Sequence, residues 1–443
     1  MRAAMSLYLK DPDVEIHHGD ALAVLRELPD ESVHAIACSP PFYGLRDYGT
    51  GRWEGGDEGC DHARPTTTYN QNFNERWGQG SGKRRQETKS QGQYGGICPK
   101  CGARRIDQQI GLEETPELWA ARLVEVFREA RRVLRGDGTL WVECGDGYAA
   151  NRSYQGSQSI HQAHDYGSAN AQRVPFGYKA KDLFGTPFLL AFALRADGWY
   201  WRDCIIWERP NPMPESVRDR TTKSHSYVLV FSKRPRYFWD AEAIAEPAAW
   251  ERWGDQTVPK YEGTETATGW MEPRSKEELQ NGRPTKNARS VWRINTEGFS
   301  ESHFAVWPPK LAAKIIKCAT SERGVCPECG APWVREVKRD RRHANGDAPS
   351  PTWANDGMVR LTASGRRNDV STHVTTLGWS PSCDHDREPV PATILDCFGG
   401  SGTTALVARK LGRHSILIEL SEEYVAMAAR RLQQLSLLAE AQG

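Results

Sequence analysis

The sequence predicts an α/β fold built on a mostly parallel sheet, and two observations support this prediction. Apolar runs of strand length alternate with amphipathic stretches of helix length, both near the N-terminus and near the C-terminus. One C-terminal strand also runs into a glycine-rich turn that opens a helix, as in doubly wound sheets that bind nucleosides. A Rossmann-like sheet with helices on both faces is therefore expected.

The elements are justified by their apolar spacing and their end signals. The longest helix shows this best: Thr115 is suited to cap it, Pro116 occupies its first position, and the glycines at 136 and 138 are expected to stop it. The predicted strands cover residues 14–20, 33–41, 139–146, 204–208, 227–233, 392–398 and 415–420, and the predicted helices cover 21–28, 115–135, 186–198, 308–320, 403–412 and 421–435.

Composition excludes some classes of protein and leaves others open. The 443 residues have room for one large domain with insertions or for two ordinary domains. The 58 basic and 57 acidic residues give a net charge of +1, so the overall charge does not indicate a nucleic-acid binding protein. Local basic clusters at 83–85, 104–105 and 339–343 either contact phosphates or form solvated loops.

Hydropathy indicates no association with a membrane. The mean hydropathy is −0.66, and no stretch approaches the roughly 18 apolar residues that a membrane span needs. The N-terminal segment lacks the apolar core of a signal peptide. We therefore expect a cytoplasmic protein.

A glycine-rich segment from Asp396 to Thr404 is the strongest candidate for a cofactor site. It follows a predicted strand and opens a helix, so its backbone amides can approach a negatively charged or polar ligand closely. Glu419 ends the next strand, where a carboxylate can accept hydrogen bonds from both ribose hydroxyls. The lysine of a phosphate-binding P-loop is missing, which favours a nucleoside with a small charged group over a triphosphate. The alternative is a plain strand–helix connection.

A second candidate site is the turn formed by Ser39, Pro40, Pro41 and Phe42, which follows a buried strand. The prolines stiffen the backbone and present carbonyl acceptors, and Ser39 adds a hydroxyl acceptor. Together these groups can receive both hydrogens of an amino group, and the Phe42 ring offers a stacking face for a base lifted from a duplex. The alternative is a rigid turn with a packed phenylalanine.

The two motifs together resemble those of the amino-group DNA methyltransferases, in the circularly permuted order called the beta group, with the Ser-Pro-Pro turn first and the cofactor loop last. Further resemblances lie at Gly19–Asp20–Ala21, at 202–228 and at 303–308. Two residues depart from the family pattern, Cys397 in place of proline and Trp307 in place of phenylalanine. The resemblance covers about half of the chain: 14–49, 112–148, 186–240, 303–320 and 392–435.

The resemblance implies a class I methyltransferase fold and an enzyme that uses S-adenosyl-L-methionine. The Ser-Pro-Pro form implies methylation of cytosine N4 in double-stranded DNA, with adenine N6 as the alternative. The implied catalytic residues are Ser39, Pro40, Pro41 and Phe42. The implied cofactor-binding residues are Asp20, Asp396, Phe398, Gly399, Gly400, Ser401, Gly402, Thr403, Thr404 and Glu419.

The implied mechanism is direct transfer. Ser39 and the Pro40 carbonyl hold the amino group and direct its lone pair at the methyl carbon, so positioning supplies much of the rate. Carbon-5 cytosine methyltransferases use a Pro-Cys nucleophile, and no cysteine follows a proline in this chain. Cys38 is accordingly expected to be a packed residue.

Paired cysteines predict two structural zinc sites, because disulfides are not expected in the cytoplasm. Two Cys-Pro-x-Cys-Gly segments each combine with a distant Cys-Asp-His, which gives three cysteines and one histidine per site. Reduced, unbound thiols are the alternative, and Cys318 is an alternative to His385 as a ligand. The predicted ligands are Cys60, His62, Cys98 and Cys101 for the first site and Cys326, Cys329, Cys383 and His385 for the second.

The domain division follows from these assignments. The predicted catalytic domain comprises 1–49, 111–240, 303–320 and 391–443; the insertions at 50–110 and 321–390 carry the zinc sites, and 241–302 is the predicted target recognition region. The insertions are expected either to grip DNA or to act as scaffolding. Double-stranded DNA is the expected partner, a cognate restriction endonuclease is possible, and the recognised sequence and oligomeric state stay open. Two rivals remain: a non-catalytic zinc-containing nucleic-acid binding protein, and an RNA or protein methyltransferase.

Overall fold

The computed structural model describes nine parts of the chain. They are residues 6–44, 48, 50–62, 97–149, 174–212, 214–247, 285–297, 307–343 and 370–440. The basic cluster at 83–85, His303 and most of the predicted recognition region lie outside the described residues.

Fifteen strands and six α-helices are found in the described residues. The strands are β1 (Ser6–Asp11), β2 (Val14–His18), β3 (Val33–Cys38), β4 (Arg52–Glu54), β5 (Arg104–Ile106), β6 (Leu134–Cys144), β7 (Tyr200–Glu208), β8 (His225–Ser232), β9 (Glu246–Pro247), β10 (Thr285–Lys286), β11 (Val291–Arg293), β12 (Trp333–His343), β13 (Val370–Pro381), β14 (Thr393–Asp396) and β15 (His414–Glu419). The helices are α1 (Ala21–Leu25), α2 (Pro116–Val133), α3 (Thr186–Ala196), α4 (Pro309–Ala319), α5 (Thr403–Lys410) and α6 (Glu422–Glu440). No helix among the described residues is long and apolar enough to cross a membrane.

Nine strands form one mixed sheet in the order β1-β2-β15-β14-β3-β6-β8-β7-β11. Five neighbouring strands of this sheet, β2, β15, β14, β3 and β6, are parallel to one another. Strand β8 is antiparallel to both β6 and β7, and β1 is antiparallel to β2 at one edge. The mostly parallel sheet expected from the sequence is therefore confirmed.

The two ends of the chain meet in the middle of this sheet. Strands β14 and β15, near the C-terminus, lie between β2 and β3, near the N-terminus. Leu395 of β14 pairs with Ile36 of β3, and Leu417 of β15 pairs with Ile16 of β2. Because parallel neighbours end at the same edge, the segments that follow β3, β14 and β15 emerge side by side.

Helices cover both faces of the sheet, as predicted. Helices α1, α2 and α3 pack on one face around fully buried side chains such as Leu123 and Phe127. Helices α4 and α5 cover the other face, where Trp141 is completely buried. At roughly 25 cal/mol per Å² of apolar surface removed from water, these two layers supply the main stabilisation of the fold.

The boundary between α2 and β6 differs from the prediction. The Thr115 side chain caps α2 by accepting a hydrogen bond from the backbone amide of Leu118, as expected. The helix nevertheless ends at Val133 rather than 135, and β6 begins at once. Leu134 pairs with Val33 of β3, so strand pairing ends the helix before the glycine at 136 is reached.

The insertions contain strands that the sequence did not predict. Strands β4 and β5 pair antiparallel in the first insertion, and β12 and β13 form a long antiparallel hairpin in the second. Edge strand β1 was also missed. Strand β12 carries many charges and lies in a two-stranded sheet with β13. It was missed because its sequence lacks the alternation of apolar and polar residues that marks a half-buried strand.

Candidate functional site

One pocket opens where β3, β14 and β15 end, and it brings the two predicted motifs together. Its volume is about 200 Å³. Ser39, Pro40, Pro41 and Phe42 form part of its wall, and much of the glycine-rich segment after β14 forms another part. The register of β14 against β3 explains this arrangement, since the two motifs extend the ends of neighbouring parallel strands.

Most of the predicted cofactor residues line this pocket, and two do not. Gly402 and Thr404 are absent from the lining and support the loop from behind. The lining residues among those predicted are Asp20, Asp396, Phe398, Gly399, Gly400, Ser401, Thr403 and Glu419.

The glycine loop adopts a backbone that its glycines allow. Gly400 and Gly402 have φ angles of 50° and 78°, in the left-handed region. A Cβ atom at Gly402 would lie 2.8 Å from the Cβ of Ala428 in α6. This position therefore has no room for a side chain. The loop thus turns tightly between β14 and α5, and Gly399 and Gly400 line the pocket.

Asp396 holds the loop from its buried position at the end of β14. One carboxyl oxygen accepts a hydrogen bond from the Phe398 amide at 3.0 Å, and the other accepts one from the Thr404 hydroxyl at 2.5 Å. Burial raises the pKa of Asp396 to about 7, an effect to which the nearby Glu419 carboxylate adds. Asp396 is therefore a structural anchor of the loop as well as a lining residue.

Glu419 connects the end of β15 to the same loop. Its carboxylate accepts hydrogen bonds from the Gly400 amide and the Ser421 amide, both at 2.8 Å. Burial raises the pKa of Glu419, whereas these amides act in the opposite direction. The predicted ribose acceptor is thus fixed at the pocket wall by two backbone donors.

Asp20 lies on the pocket wall at the start of α1. Its side chain caps this short helix by accepting a hydrogen bond from the Ala23 amide at 3.0 Å. The neighbouring Gly19 amide donates to the Glu419 carbonyl at 2.9 Å. The Asp20 and Glu419 segments are therefore held next to each other.

The Ser-Pro-Pro-Phe turn is fixed by two hydrogen bonds. The Ser39 hydroxyl donates to Glu143 Oε2 at 2.7 Å, and the indole N–H of Trp119 donates to the Pro41 carbonyl at 2.9 Å. The Phe42 ring packs so closely on Gly145 that a Cβ there would lie 2.7 Å from the ring. The Pro41 carbonyl, predicted to face a ligand, therefore already accepts a hydrogen bond from Trp119. The Ser39 oxygen acts as a donor to Glu143, so its lone pairs can still accept hydrogen bonds.

Glu143 was missed by the sequence analysis. It lies near the end of β6 and is almost completely buried. Burial raises the pKa of its carboxyl, while hydrogen bonds from Ser39 and Ser226 lower it. An acidic residue within the apolar run of β6 is the signal that could have marked it, since buried carboxyls need partners.

Further wall residues come from parts of the chain that the motifs do not include. Trp307 lies just before α4, and Tyr424 belongs to α6. Thr50 and the segment Gln108–Ile110 come from the two ends of the first insertion. The remaining lining residues are Gly19, Ala21, Tyr48, Cys397, Ile418 and Leu420.

The structure gathers both predicted metal sets. We call Cys60, His62, Cys98 and Cys101 the first metal set, and Cys326, Cys329, Cys383 and His385 the second metal set. Within each set, the ligand atoms all lie within 4.8 Å of one another.

The donor atoms fit tetrahedral zinc. Cys60 Sγ lies 3.9 Å from Cys98 Sγ, and Cys101 Sγ lies 3.6 Å from His62 Nδ1. Cys326 Sγ lies 3.7 Å from His385 Nδ1. Zinc bonds of about 2.3 Å to sulfur and about 2.0 Å to nitrogen place tetrahedral ligand atoms about 3.5–3.8 Å apart.

The two metal sets share one backbone pattern. The Gly102 amide donates to the Cys98 carbonyl and the Gly330 amide to the Cys326 carbonyl, both at 2.8 Å. Both glycines have positive φ angles. Cys318 is not part of the second metal set: it is buried in α4 and donates to the Ile315 carbonyl at 3.2 Å. The fourth member of this set is His385, as predicted, and Cys318 is separate from it.

The described part of the recognition region includes Trp292, which is buried and stacks on Trp141 with ring centroids 6.2 Å apart. Arg289 pairs with Glu246 at 2.8 Å, and Arg293 with Glu208 at 3.4 Å. Arg274 and Arg283 lie outside the described residues.

A glycine loop and a Ser-Pro-Pro-Phe turn that share one pocket on a doubly wound sheet define the class of S-adenosylmethionine-dependent methyltransferases. The model of the DNA methylase family matches residues 33–326 and 389–430, and the chain belongs to this family. It is a DNA methyltransferase of the type that methylates amino groups.

Two relatives agree with this membership, and one solved structure was also compared with the chain. The chain is 30% identical to the type II methyltransferase M.XycI of Xanthomonas campestris pv. cyanopsidis over 419 residues, 94% of this chain and 87% of the relative. It is 30% identical, with the same coverage, to the type II methyltransferase M.Cfr9I of Citrobacter freundii. The structure of the PvuII DNA methyltransferase (cytosine-N4-specific) aligns with a TM-score of 0.45 at 14% identity, over 96% of this chain and 89% of that one.

Proposed function

We propose that the protein methylates the N4 amino group of cytosine within a specific sequence of double-stranded DNA. The observation that carries this proposal is the shared pocket, in which the Ser39 hydroxyl donates a hydrogen bond to Glu143 beside the glycine loop. A hydroxyl fixed as a donor on one side offers its lone pairs on the other. These lone pairs are suited to accept a hydrogen bond from an exocyclic amine.

The cofactor supplies an electrophilic methyl group when it is bound. Ser39, together with the Pro40 carbonyl, holds the target amine so that its nitrogen lone pair points along the line of transfer. The buried Glu143 fixes the Ser39 hydroxyl, and the Trp119–Pro41 hydrogen bond fixes the turn. The Phe42 ring provides a stacking face for the extruded base. No covalent enzyme intermediate is involved.

The cofactor fits the pocket through three features. The loop residues Gly399, Gly400 and Ser401 line the pocket beside the start of α5 and suit the polar methionine end. Glu419 offers a carboxylate to the ribose hydroxyls, and Asp20 contributes a second acid toward the adenine end. Exchange of the Gly400 hydrogen bond for a ribose hydroxyl would keep Glu419 paired when the ligand binds.

Zinc is proposed at both metal sets, in a structural role. The donors, three cysteines and one histidine per set, match those of closed structural sites. The backbone amide of Cys329 lowers the pKa of the Cys326 thiol to about 7, which favours the thiolate that zinc requires. Each metal would tether the two distant halves of an insertion.

The domain roles and the chain order complete the proposal. Residues 1–49, 111–240, 303–320 and 391–443 would form the catalytic domain, in the permuted order of the beta group. Residues 241–302 would recognise the target, and the insertions at 50–110 and 321–390 would carry zinc. The type II designation of the relatives supports a role in restriction–modification, with a cognate endonuclease as the functional counterpart.

The deciding experiment is mass spectrometry of nucleosides from DNA incubated with the purified protein and S-adenosylmethionine. N4-methylcytosine is the expected product. N6-methyladenine would overturn the choice of base and leave the DNA methyltransferase activity intact. DNA binding with no methylated nucleoside, even at high protein concentration, would support the non-catalytic rival.

A further inference from the structure

We propose that the first metal set builds one wall of the cofactor pocket, with Asp107 as the positioning residue between metal and pocket. The inference rests on the proposed function, because it concerns affinity for S-adenosylmethionine. It predicts that cofactor binding depends on the first metal set and not on the second.

The β4–β5 hairpin has the metal ligands at one end and the pocket at the other. Thr50, just before β4, and the segment Gln108–Ile110, just after β5, line the pocket. At the opposite end, Cys60 and His62 follow β4, whereas Cys98 and Cys101 precede β5. The hairpin is thus a short connection between the two sites.

Asp107 ties the pocket end of this hairpin together. One of its carboxylate oxygens accepts hydrogen bonds from the Thr50 hydroxyl at 2.9 Å and from the Gln109 amide at 3.0 Å. The other oxygen accepts one from Arg105 at 2.8 Å. Gln109, itself buried, accepts a hydrogen bond from the Tyr48 amide at 2.7 Å. Asp107 therefore fixes pocket-lining residues from both sides of the hairpin.

Close packing runs along the hairpin toward the metal ligands. A Cβ on Gly51 would lie 2.2 Å from Nε of Arg105, so the Arg105 side chain crosses directly over this glycine. Near the other end, a Cβ on Gly56 would lie 2.8 Å from Sγ of Cys101. The hairpin has little room to shift at either end.

The hairpin has only a small apolar core. Each strand has three residues, and the pair forms its own two-stranded sheet. Isolated two-stranded hairpins are marginally stable in water. Cys98 and Ala103 are its well-buried apolar side chains among the described residues at 52–62 and 97–106. Metal binding would therefore order the hairpin, and through Asp107 it would order the pocket wall.

The second metal set provides a control within the same chain. It has the same donors and the same turn, and it lies at the base of the β12–β13 hairpin. Its surroundings include Arg135, which donates to the Cys329 carbonyl. Among the described residues, none from 321–343 or 370–390 lines the pocket.

The test compares two matched double variants, Cys98→Ala/Cys101→Ala and Cys326→Ala/Cys329→Ala. Zinc is measured by elemental analysis, folding by circular dichroism, and affinity for S-adenosylhomocysteine by calorimetry. Each variant should retain about one zinc per chain. The first should bind the nucleoside at least about tenfold more weakly, and the second should stay within about twofold of the wild type.

Asp107→Asn tests the connection without touching a metal ligand. It should keep both metals, raise KM for S-adenosylmethionine severalfold and leave kcat at saturating cofactor close to the wild-type value, because the residue orders the wall and contacts no reacting atom. This variant decides the question if the first cysteine variant fails to fold. Unchanged affinity and KM in Asp107→Asn would then overturn the inference.

The remaining outcomes separate this inference from the proposed function. Unchanged affinity in a folded, metal-depleted Cys98→Ala/Cys101→Ala protein overturns the inference alone. Equal loss of affinity in both double variants also overturns it, since it indicates general destabilisation. A wild-type protein that binds no S-adenosylhomocysteine overturns the proposed function and this inference together.

Discussion

The Ser39 hydroxyl donates a 2.7 Å hydrogen bond to the buried Glu143, which joins the end of β3 to the end of β6. The bond fixes the hydroxyl rotor of Ser39, which in water would rotate freely. It also gives a partner to a carboxyl group that is otherwise expensive to bury. The Ser-Pro-Pro-Phe turn is thus oriented by a residue of the neighbouring strand.

Replacement of Ser39 by alanine should lower turnover more than cofactor binding. The change removes the proposed acceptor for the target amine, and loss of one such group in an active site lowers kcat by roughly 100-fold. Turnover is measured with labelled cofactor, and affinity by calorimetry. Ser32→Ala is the control, because Ser32 does not line the pocket and its hydroxyl donates to the Pro29 carbonyl at 2.7 Å. Wild-type turnover in Ser39→Ala would contradict the assigned role.

Replacement of Glu419 by alanine should mainly weaken cofactor affinity. The variant loses the proposed ribose acceptor and the contact that holds the Gly400 amide, and hydrogen bonds to charged groups are worth about 1.5–3 kcal/mol. We expect Kd for S-adenosylhomocysteine to rise by about 10- to 100-fold. Glu422→Ala, on the exposed start of α6, serves as control. Equal affinity in the two variants would argue against the ribose assignment.

Comparison of Gly402→Ala with Gly412→Ala should show how much of the loss in the free energy of unfolding comes from a steric clash and how much from backbone strain. Both glycines have left-handed backbones, with φ angles of 78° and 68°. A Cβ meets Ala428 at 2.8 Å in the first case and nothing within 4 Å in the second. Each variant should lose about 1–2 kcal/mol from backbone strain, and Gly402→Ala a further 1–3 kcal/mol or so from the collision. Urea unfolding measures both, and equal losses would mean that α6 moves aside freely.

Asp396 should make the stability of the fold depend on pH. Its pKa of about 7 in the folded protein lies above its ordinary value of 3.8, so the native state binds more protons between these values. The free energy of unfolding therefore falls as pH rises toward about 7, by up to a few kcal/mol from this residue. Asp396→Asn lacks this contribution.

The measurement for Asp396 is urea unfolding of the wild type and Asp396→Asn at several pH values from 5 to 8. The wild-type free energy of unfolding minus that of the variant should decrease up to pH 7 or so and then level off. A difference that stays constant over this range would show that Asp396 has an ordinary pKa.

The purified protein should contain about two zinc ions per chain if both metal sets fill. Elemental analysis of protein prepared without chelator gives the number directly. Removal of zinc by a strong chelator should lower the melting temperature, because metal-binding energy contributes to folding. A content near zero would reject zinc at both sets.

The motifs were predictable because their chemistry is local. The glycine turn after β14 and the proline turn after β3 each carry their own constraints in a few neighbouring residues. The cysteine spacing likewise predicted two ligand sets, and the structure brings each of them together. The two turns meet because they follow neighbouring parallel strands, which end at one edge of the sheet.

The missed features depend on contacts between distant segments. Glu143 receives its partner from a residue over a hundred positions away in the chain. Strand β11 was not predicted either, and it adds to the sheet edge, where Trp292 is buried against Trp141. Gln109 became a pocket residue only because the first insertion returns to the sheet. No local periodicity encodes such partners.

The position of β14 and β15 between β2 and β3 has a consequence during synthesis on the ribosome. Strands β2 and β3 emerge early, but their inner edges find no partner until residues 393–419 have been translated. Long-range pairing of this kind slows folding and prolongs the exposure of unpaired strand edges. A nascent chain that lacks these residues has no glycine loop and no Glu419, so a truncated translation product would lack the predicted cofactor wall of the pocket.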